Sequence, residues 1–177
     1  MAQPTVIDLP EPCVVVLIGA AGAGKSTFAA RHFAPAEILS SDALRAMVSG
    51  DESDQRATRT AFSILHRQLG KRLIAGRTSV VDATNVTTYA RRAIVRAAAA
   101  SGMPVAAVVL DLDPELVVRR NAARTGRVVP EAAVHHQLAQ LARALAPGVL
   151  EHEGFAAVHR LRTTDEIDGV VVRRHGA

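Results

Sequence analysis

The segment Gly19-Ala20-Ala21-Gly22-Ala23-Gly24-Lys25-Ser26 has the spacing of a phosphate-binding loop, and Thr27 follows it directly. Glycines let such a backbone curl until several N–H groups converge on phosphate oxygens. A helix opening at the end of the loop adds its free donors and its dipole. In this arrangement the Lys25 ammonium reaches the outer phosphates of a nucleoside triphosphate, and the Ser26 hydroxyl binds magnesium. Lys25 is one of two lysines beside 19 arginines, at a position that needs a compact ammonium. The expected cofactors are therefore Mg2+ with ATP or another NTP as phosphate donor. GTPases, ATPase motors and kinases of small molecules all use this loop, so the chemistry depends on its surroundings. Nothing resembles the guanine-reading N-K-x-D of GTPases, and no long acidic run marks a motor.

Three further groups of residues bear on that chemistry. In Ser40-Ser41-Asp42-Ala43-Leu44-Arg45, an acid follows a short apolar run. At the carboxyl end of a strand beside the loop, Asp42 would face the ligand crevice and accept a proton from an attacking hydroxyl. Arg45, one helical turn on, would hold a phosphate of the acceptor or of the transition state. A simple helix cap at Asp42 explains the same residue and is compatible with that role. In Val80-Val81-Asp82-Ala83-Thr84-Asn85, Asp82 could reach the magnesium shell through water, with Thr84 or Asn85 on the substrate; a plain polar turn reads equally well. Lastly, Arg120 and Arg124 stand four apart before Thr125-Gly126-Arg127. This is the form of a lid over roughly 114–130: two guanidiniums on one helix face, then a glycine-hinged loop with a third. Such arginines would bind the triphosphate and neutralise charge on the transferring group, whereas a solvated basic face is the plainer alternative.

The elements that must position these residues are visible as hydrophobic patterning. Val14 to Ile18 is a continuous β-branched run bounded by glycine, as in a strand buried on both faces of a parallel sheet. Further strands are expected at Glu37 to Leu39, Ser79 to Val81, Val105 to Leu110 and Ala157 to Leu161, with Val170 to Arg173 as a last edge strand. Helices are expected over Lys25 to Phe33, Asp54 to Ala75, Thr88 to Ala100, Pro114 to Arg124 and Pro130 to Leu145. Asp113 and Pro114 form a cap and first turn. The alternation predicts an α/β fold: a mainly parallel sheet with helices on both faces.

The 177 residues, 49% apolar and 21% charged, suit one globular domain spanning 1–177. No apolar run approaches the roughly 20 residues that span a bilayer. Met1 to Pro12 carries two acids and no basic residue, unlike a secretory leader, so a cytoplasmic protein without membrane contact is expected. The lone Cys13 excludes an internal disulfide and reads as a buried, inert thiol; His135 and His136 read as surface residues. The sequence pI is about 10.2, which permits nucleic acid as a partner, while 3% aromatic residues argue against a stacking platform.

In this order, the segments Val15 to Gly19, Gly24 to Ala29, Ile38 to Asp42 with Arg45, Val48 to Gln55, Val80 to Asn85 and Arg120 to Arg124 resemble the kinase domain of bacterial polynucleotide 5′-kinase/3′-phosphatase repair proteins. The resemblance implies a P-loop kinase that transfers the NTP γ-phosphate to the 5′-OH end of RNA or DNA. It implies Lys25 and Ser26 on phosphates and metal, Asp42 as general base, Arg45 on the acceptor phosphate, Arg120 and Arg124 acting from the lid, and Gln55 within the site. Alanines at 20, 21 and 23 replace serines frequent in the family. Phosphatase and ligase modules would be supplied elsewhere. Two other readings stand beside it: a kinase of a nucleoside, sugar or nucleotide-sugar, and a nucleotide-hydrolysing switch.

Overall fold

The computed structural model describes residues 5–49 and 57–176. Five strands form one sheet in which every pairing is parallel: β2 (Val14–Ile18), β3 (Ile38–Ser40), β4 (Ser79–Asp82), β5 (Val105–Leu110) and β6 (Ala157–Leu161), in spatial order β3-β4-β2-β5-β6. β2 is central because it is fully buried on both faces, which its run of β-branched and leucine side chains tolerates and few other segments of the chain would. Val14 lies opposite Ser79 on one side and Val105 on the other. The chain leaves β2 toward β3 and later crosses to β5 on the opposite side. This order reverses at β2, so the crevice beyond its carboxyl end is the natural ligand position.

Helices cover both faces, as expected from the alternation. On one face, Val15 and Leu17 pack with Phe28 of α1 (Lys25–His32), Val117 of α5 (Pro114–Ala122), Val134 of α6 (Glu131–Ala144) and Ile167 of α7 (Thr164–Gly169). On the other face, Val14, Val16 and Ile18 pack with Leu44 of α2 (Ser41–Ser49), with α3 (Thr58–Ile74) and with α4 (Thr88–Ala100). α3 presents Ala61, Leu65, Leu69 and Leu73, a strict four-residue spacing that forms one buried stripe. Asp113 caps α5 by accepting from the N–H groups of Glu115 and Leu116 at 3.0 and 3.1 Å.

Four elements differ from the expectations. Ser41–Ser49 forms α2, where the sequence suggests only a cap and a single turn. Val6–Glu11 forms a strand, β1, and Thr164–Gly169 forms the short helix α7. The final strand, β7 (Val171–Gly176), pairs in parallel with β1 as a separate two-stranded sheet and does not extend the main one. Ile7 and Leu9 of β1 are fully buried while Asp8 between them faces water, so the strand buries a face at period two. Pro10 is compatible with it because a strand in a two-stranded ribbon has a free edge. Arg174 fixes the ribbon by pairing with Glu37 at 2.8 Å and Glu11 at 3.5 Å and by lying 5.1 Å above the Phe33 ring. Cys13 is buried as expected, and burial is the main cause that raises its thiol to about 11. His135 and His136 are exposed.

A buried ion pair joins α4 to the turn before β6. Arg91 is wholly inaccessible, donates to both carboxylate oxygens of Glu153 at 2.6 and 2.7 Å, and donates to the Asn85 carbonyl at 3.0 Å. Removing one partner would leave an uncompensated charge in the interior. Glu153→Ala is therefore expected to destabilise the fold by about 3–5 kcal/mol, and Arg91→Met with Glu153→Leu to recover most of that loss. Urea unfolding of the single and double variants measures both values; a single variant as stable as the native protein would refute the uncompensated-charge account.

Candidate active site

The loop between β2 and α1 takes a conformation that only glycine adopts freely at two points: Gly22 with φ 94° and Gly24 with φ 95°. At Gly22 the fit is also tight. A Cβ there would stand 2.4 Å from the Val117 carbonyl oxygen and 2.9 Å from the Asn121 nitrogen, so the loop lies flush on α5. The N–H groups of Gly22, Gly24, Lys25, Ser26 and Thr27 have no acceptor among the described residues. These donors and the dipole of α1 make the loop an anion cradle built from backbone.

The side chains beside it carry the rest of the charge. Lys25 is 9% exposed and donates to the Ala20 carbonyl at 2.9 Å. Burial chiefly lowers its pKa to about 8; Arg124 adds to the lowering and Asp82 opposes it. The Ser26 hydroxyl donates to Asp82 Oδ2 at 2.7 Å. These two groups form a hard, all-oxygen corner suited to Mg2+. No cluster of three or more His, Cys, Asp or Glu side chains among the described residues could hold a cation alone, so most ligands would come from a triphosphate and water.

The loop forms the floor of a cleft of about 540 Å³. At one end stand Asp42 and Arg45 from α2 with Thr58 and Phe62 from α3. The Thr58 hydroxyl is buried without a partner among the described residues. Ser40 caps α2 by accepting from the Ala43 N–H at 3.3 Å, so Asp42 is not needed as a cap. Its carboxylate instead receives Arg45, Arg127 at 3.2 Å and, at 4.0 Å, Arg124. At the other end Arg31 pairs with Asp168 at 2.8 Å, and Arg120 donates to the Thr164 hydroxyl of α7 at 3.2 Å.

The structure thus brings Gly22, Gly24, Lys25, Ser26, Thr27, Asp42, Arg45, Asp82, Thr84, Arg120 and Arg124 to one cleft, with Ala21 and Ala23. Gly19 and Ala20 lead into it: the Gly19 N–H donates to the Thr84 carbonyl at 3.0 Å, and Ala20 is buried. Gln55 lies outside the described residues. Two expectations change. Asn85, expected on substrate, is 3% exposed at φ 48°, and its side-chain amide donates to the Leu17 carbonyl at 2.8 Å, supporting the strand that delivers the loop. α5 ends at Ala122, so Arg124 enters the cleft from the loop and does not share a helix face with Arg120. The loop is tied where a hinge was expected: Asn121 donates to the Val129 carbonyl at 2.7 Å and accepts from its N–H at 3.1 Å. Sequence reading missed Gln137, whose side-chain oxygen accepts from the Ala21 N–H at 2.8 Å across 116 residues. It also missed the joining of Arg127 to Asp42. No local pattern signals either contact.

Residues 14–147 match the AAA domain family AAA_33. The chain belongs to this family. Its fold is the P-loop NTPase kinase fold, and nucleotide use with Mg2+ is the family's habit. No curated protein sequence matches the chain. Among solved structures, one chain of the Pnkp1/Rnl/Hen1 RNA repair complex aligns at 25% identity and a TM-score of 0.65, over 80% of this chain and 46% of that one. A sugar kinase from Janibacter sp. HTCC2649 aligns at 21% identity and 0.59, over 86% of each chain. Kti12 from Chaetomium thermophilum, in complex with ADP-AlF3, aligns at 15% and 0.65, over 86% and 90%. The last two likenesses show the fold alone. No helix among the described residues is long and apolar enough to cross a membrane.

The lowered pKa of Lys25 has a testable consequence for this P-loop kinase-like domain. A bound triphosphate favours the charged ammonium and raises the pKa again. Above pH 8, binding must then take up a proton, and affinity should fall by up to about tenfold per pH unit. Titration calorimetry with Mg-ATP in two buffers of different ionisation heat detects that uptake. Identical heats in both, with one affinity from pH 7 to 9, would contradict it.

Proposed function

We propose that the chain transfers the γ-phosphoryl group of ATP, or another NTP, to the 5′-hydroxyl end of RNA or DNA. The observation that carries this reading is the carboxylate of Asp42, held with Arg45 at one end of a cleft whose floor is the phosphate loop. A nucleotide-hydrolysing switch needs an ordered water; an acid at the far end of the cleft from α7 is suited to an acceptor hydroxyl. The 25% likeness to a chain of an RNA repair complex supports a polynucleotide end as that acceptor.

In this reading the loop amides and Lys25 bind the β- and γ-phosphates, and Ser26 with Asp82 would hold Mg2+. When bound there, the cation would supply neutralisation of phosphate charge. The hydroxyl oxygen attacks γ-phosphorus, its proton passes to Asp42, and the bond to the β-phosphate oxygen breaks with the electron pair leaving on the NDP. Arg45 and Arg127 orient the carboxylate, and Arg45 also takes the acceptor's phosphate. Arg120 and Arg124 act on the transferring group from above, against charge that develops there. The resemblance adds Gln55 to the substrate-binding residues.

A second reading keeps every step and changes the acceptor to a nucleoside, sugar or nucleotide-sugar. The fold shared with a sugar kinase is compatible with it.

The test is transfer from γ-labelled ATP to a 5′-OH oligonucleotide, beside a panel of nucleosides and sugars. Asp42→Ala is expected to lose about 10²–10⁴-fold in kcat while Mg-ATP affinity stays within a fewfold. Arg120→Ala and Arg124→Ala should each lose about 10³-fold or more. Label on small molecules alone would replace the acceptor, and undiminished transfer by Asp42→Ala would refute the mechanism.

A further inference from the structure

From Ala57 to Leu110 the sequence holds one acidic residue, Asp82, and that residue is buried in the cleft. α3 and α4 fall wholly within this span and pack side by side on one face of the sheet, so their outer surface has no carboxylate of its own. It does have exposed cations: Arg59, Arg67 and Lys71 on α3, Arg92 and Arg96 on α4. None of the five makes an ion pair among the described residues. Elsewhere exposed arginines are divided: Arg31 pairs with Asp168 and Arg160 with Asp111, whereas Arg143, Arg162 and Arg173 make no ion pair among the described residues, so the absence of acids and not the absence of pairs sets this face apart. A merely soluble face would intersperse both signs; one cleared of acids across two helices is suited to a polyanion.

The geometry aligns this face with the cleft. At 100° per residue, Arg67 and Lys71 stand about 40° apart on α3 and Arg59 within about 120° of both. Tyr89, Arg92 and Arg96 fall within about 60° on α4. Tyr89 is the chain's one tyrosine and is 87% exposed. α3 begins with Thr58 and Phe62 in the cleft wall, and α4 begins just past the carboxyl end of β4, whose last residue is Asp82. Both basic stripes therefore start at the acceptor end of the cleft and run away from it along the sheet. The α3 stripe covers about 18 Å at 1.5 Å per residue, or roughly five nucleotides of a stacked strand.

We propose that the outer face of α3 and α4 is the track on which a single-stranded polynucleotide lies when its 5′ end occupies the cleft. The arginines and Lys71 contact its phosphates without reading sequence, and Tyr89 offers one base a stacking surface. This inference rests on the acceptor assigned above and extends it from the terminal nucleotide to the body of the strand.

The experiment compares the native protein with two double variants, Arg67→Ser with Lys71→Ser and Arg92→Ser with Arg96→Ser. All four positions are exposed and outside the catalytic cleft, so the fold should be retained. Transfer is measured on a 5′-OH dinucleotide and a 5′-OH 16-mer, and binding of a labelled 16-mer is followed by anisotropy against salt and against anionic vesicles as competitor. Each double variant is expected to raise KM for the 16-mer about tenfold with kcat unchanged, to leave the dinucleotide unaffected, and to flatten the log Kd against log salt slope by about 1.4. Transfer to the 16-mer with native KM and slope in both variants would overturn the track and leave the acceptor assignment standing. No transfer to any 5′-OH end, with salt-dependent 16-mer binding lost in the variants, would keep the track and overturn the acceptor. Binding to vesicles in place of the 16-mer would overturn the track.

Discussion

Charge imbalance in the cleft is the constraint around which the molecule is arranged. Six cationic side chains line it, namely Lys25, Arg31, Arg45, Arg120, Arg124 and Arg127, against three carboxylates, Asp42, Asp82 and Asp168. Each acid is engaged by more than one neighbour or by a close one: Asp82 by Ser26, Asp42 by three guanidiniums, Asp168 by Arg31. The loop's unpaired amides add to the same sign. Crowding of this kind opposes folding until it is offset by rigid packing elsewhere, and a polyphosphate is the ligand whose charge it complements. The lowered pKa of Lys25 is one local reading of that field, with burial as its larger cause.

The rigidity that tolerates such crowding comes from contacts unrelated to phosphate. Gly22 lies against α5 closely enough to exclude a methyl group, Gln137 reaches from α6 to the Ala21 amide, and Asn121 closes the arginine-bearing loop onto Val129. The phosphate loop, α5 and α6 are thus one packed unit. On the opposite side, Asn85 and the buried Arg91–Glu153 pair hold the end of β2 where the loop departs. Preorganisation of donors in this way lets them act on a ligand without rearranging first.

What was legible in the sequence follows from how local the signal is. β2 and β5 announce themselves as unbroken apolar runs, the phosphate loop by its own spacing, and α5 by Asp113-Pro114, because each is decided by neighbours along the chain. Two of the missed elements are decided at a distance. β1 mixes two acids and a proline with its two buried residues and gains its partner only from the far end of the chain, and α7 is too short for a helical period to emerge. In the cleft, the loop and the acid were readable from type and spacing. The expected face shared by Arg120 and Arg124 was not, because α5 ends at Ala122 and the chain beyond it is held by the long-range contact of Asn121 with Val129. Asn85 is the reverse case: a polar residue beside a cleft whose hydrogen-bonding capacity is taken up by the main chain.

The pairing of β1 with β7 has a consequence for how the molecule reaches its native state. Val6 finds Val171 only after almost the whole chain has been brought together, so this contact carries the largest loop-closure entropy in the fold. Once the five-stranded sheet exists, its ends hold the two segments near each other and most of that entropic cost has already been met by the strands between. The ribbon is thereby a late event in assembly, a clasp that closes on a finished core and leaves Ile7 and Leu9 solvated until it does.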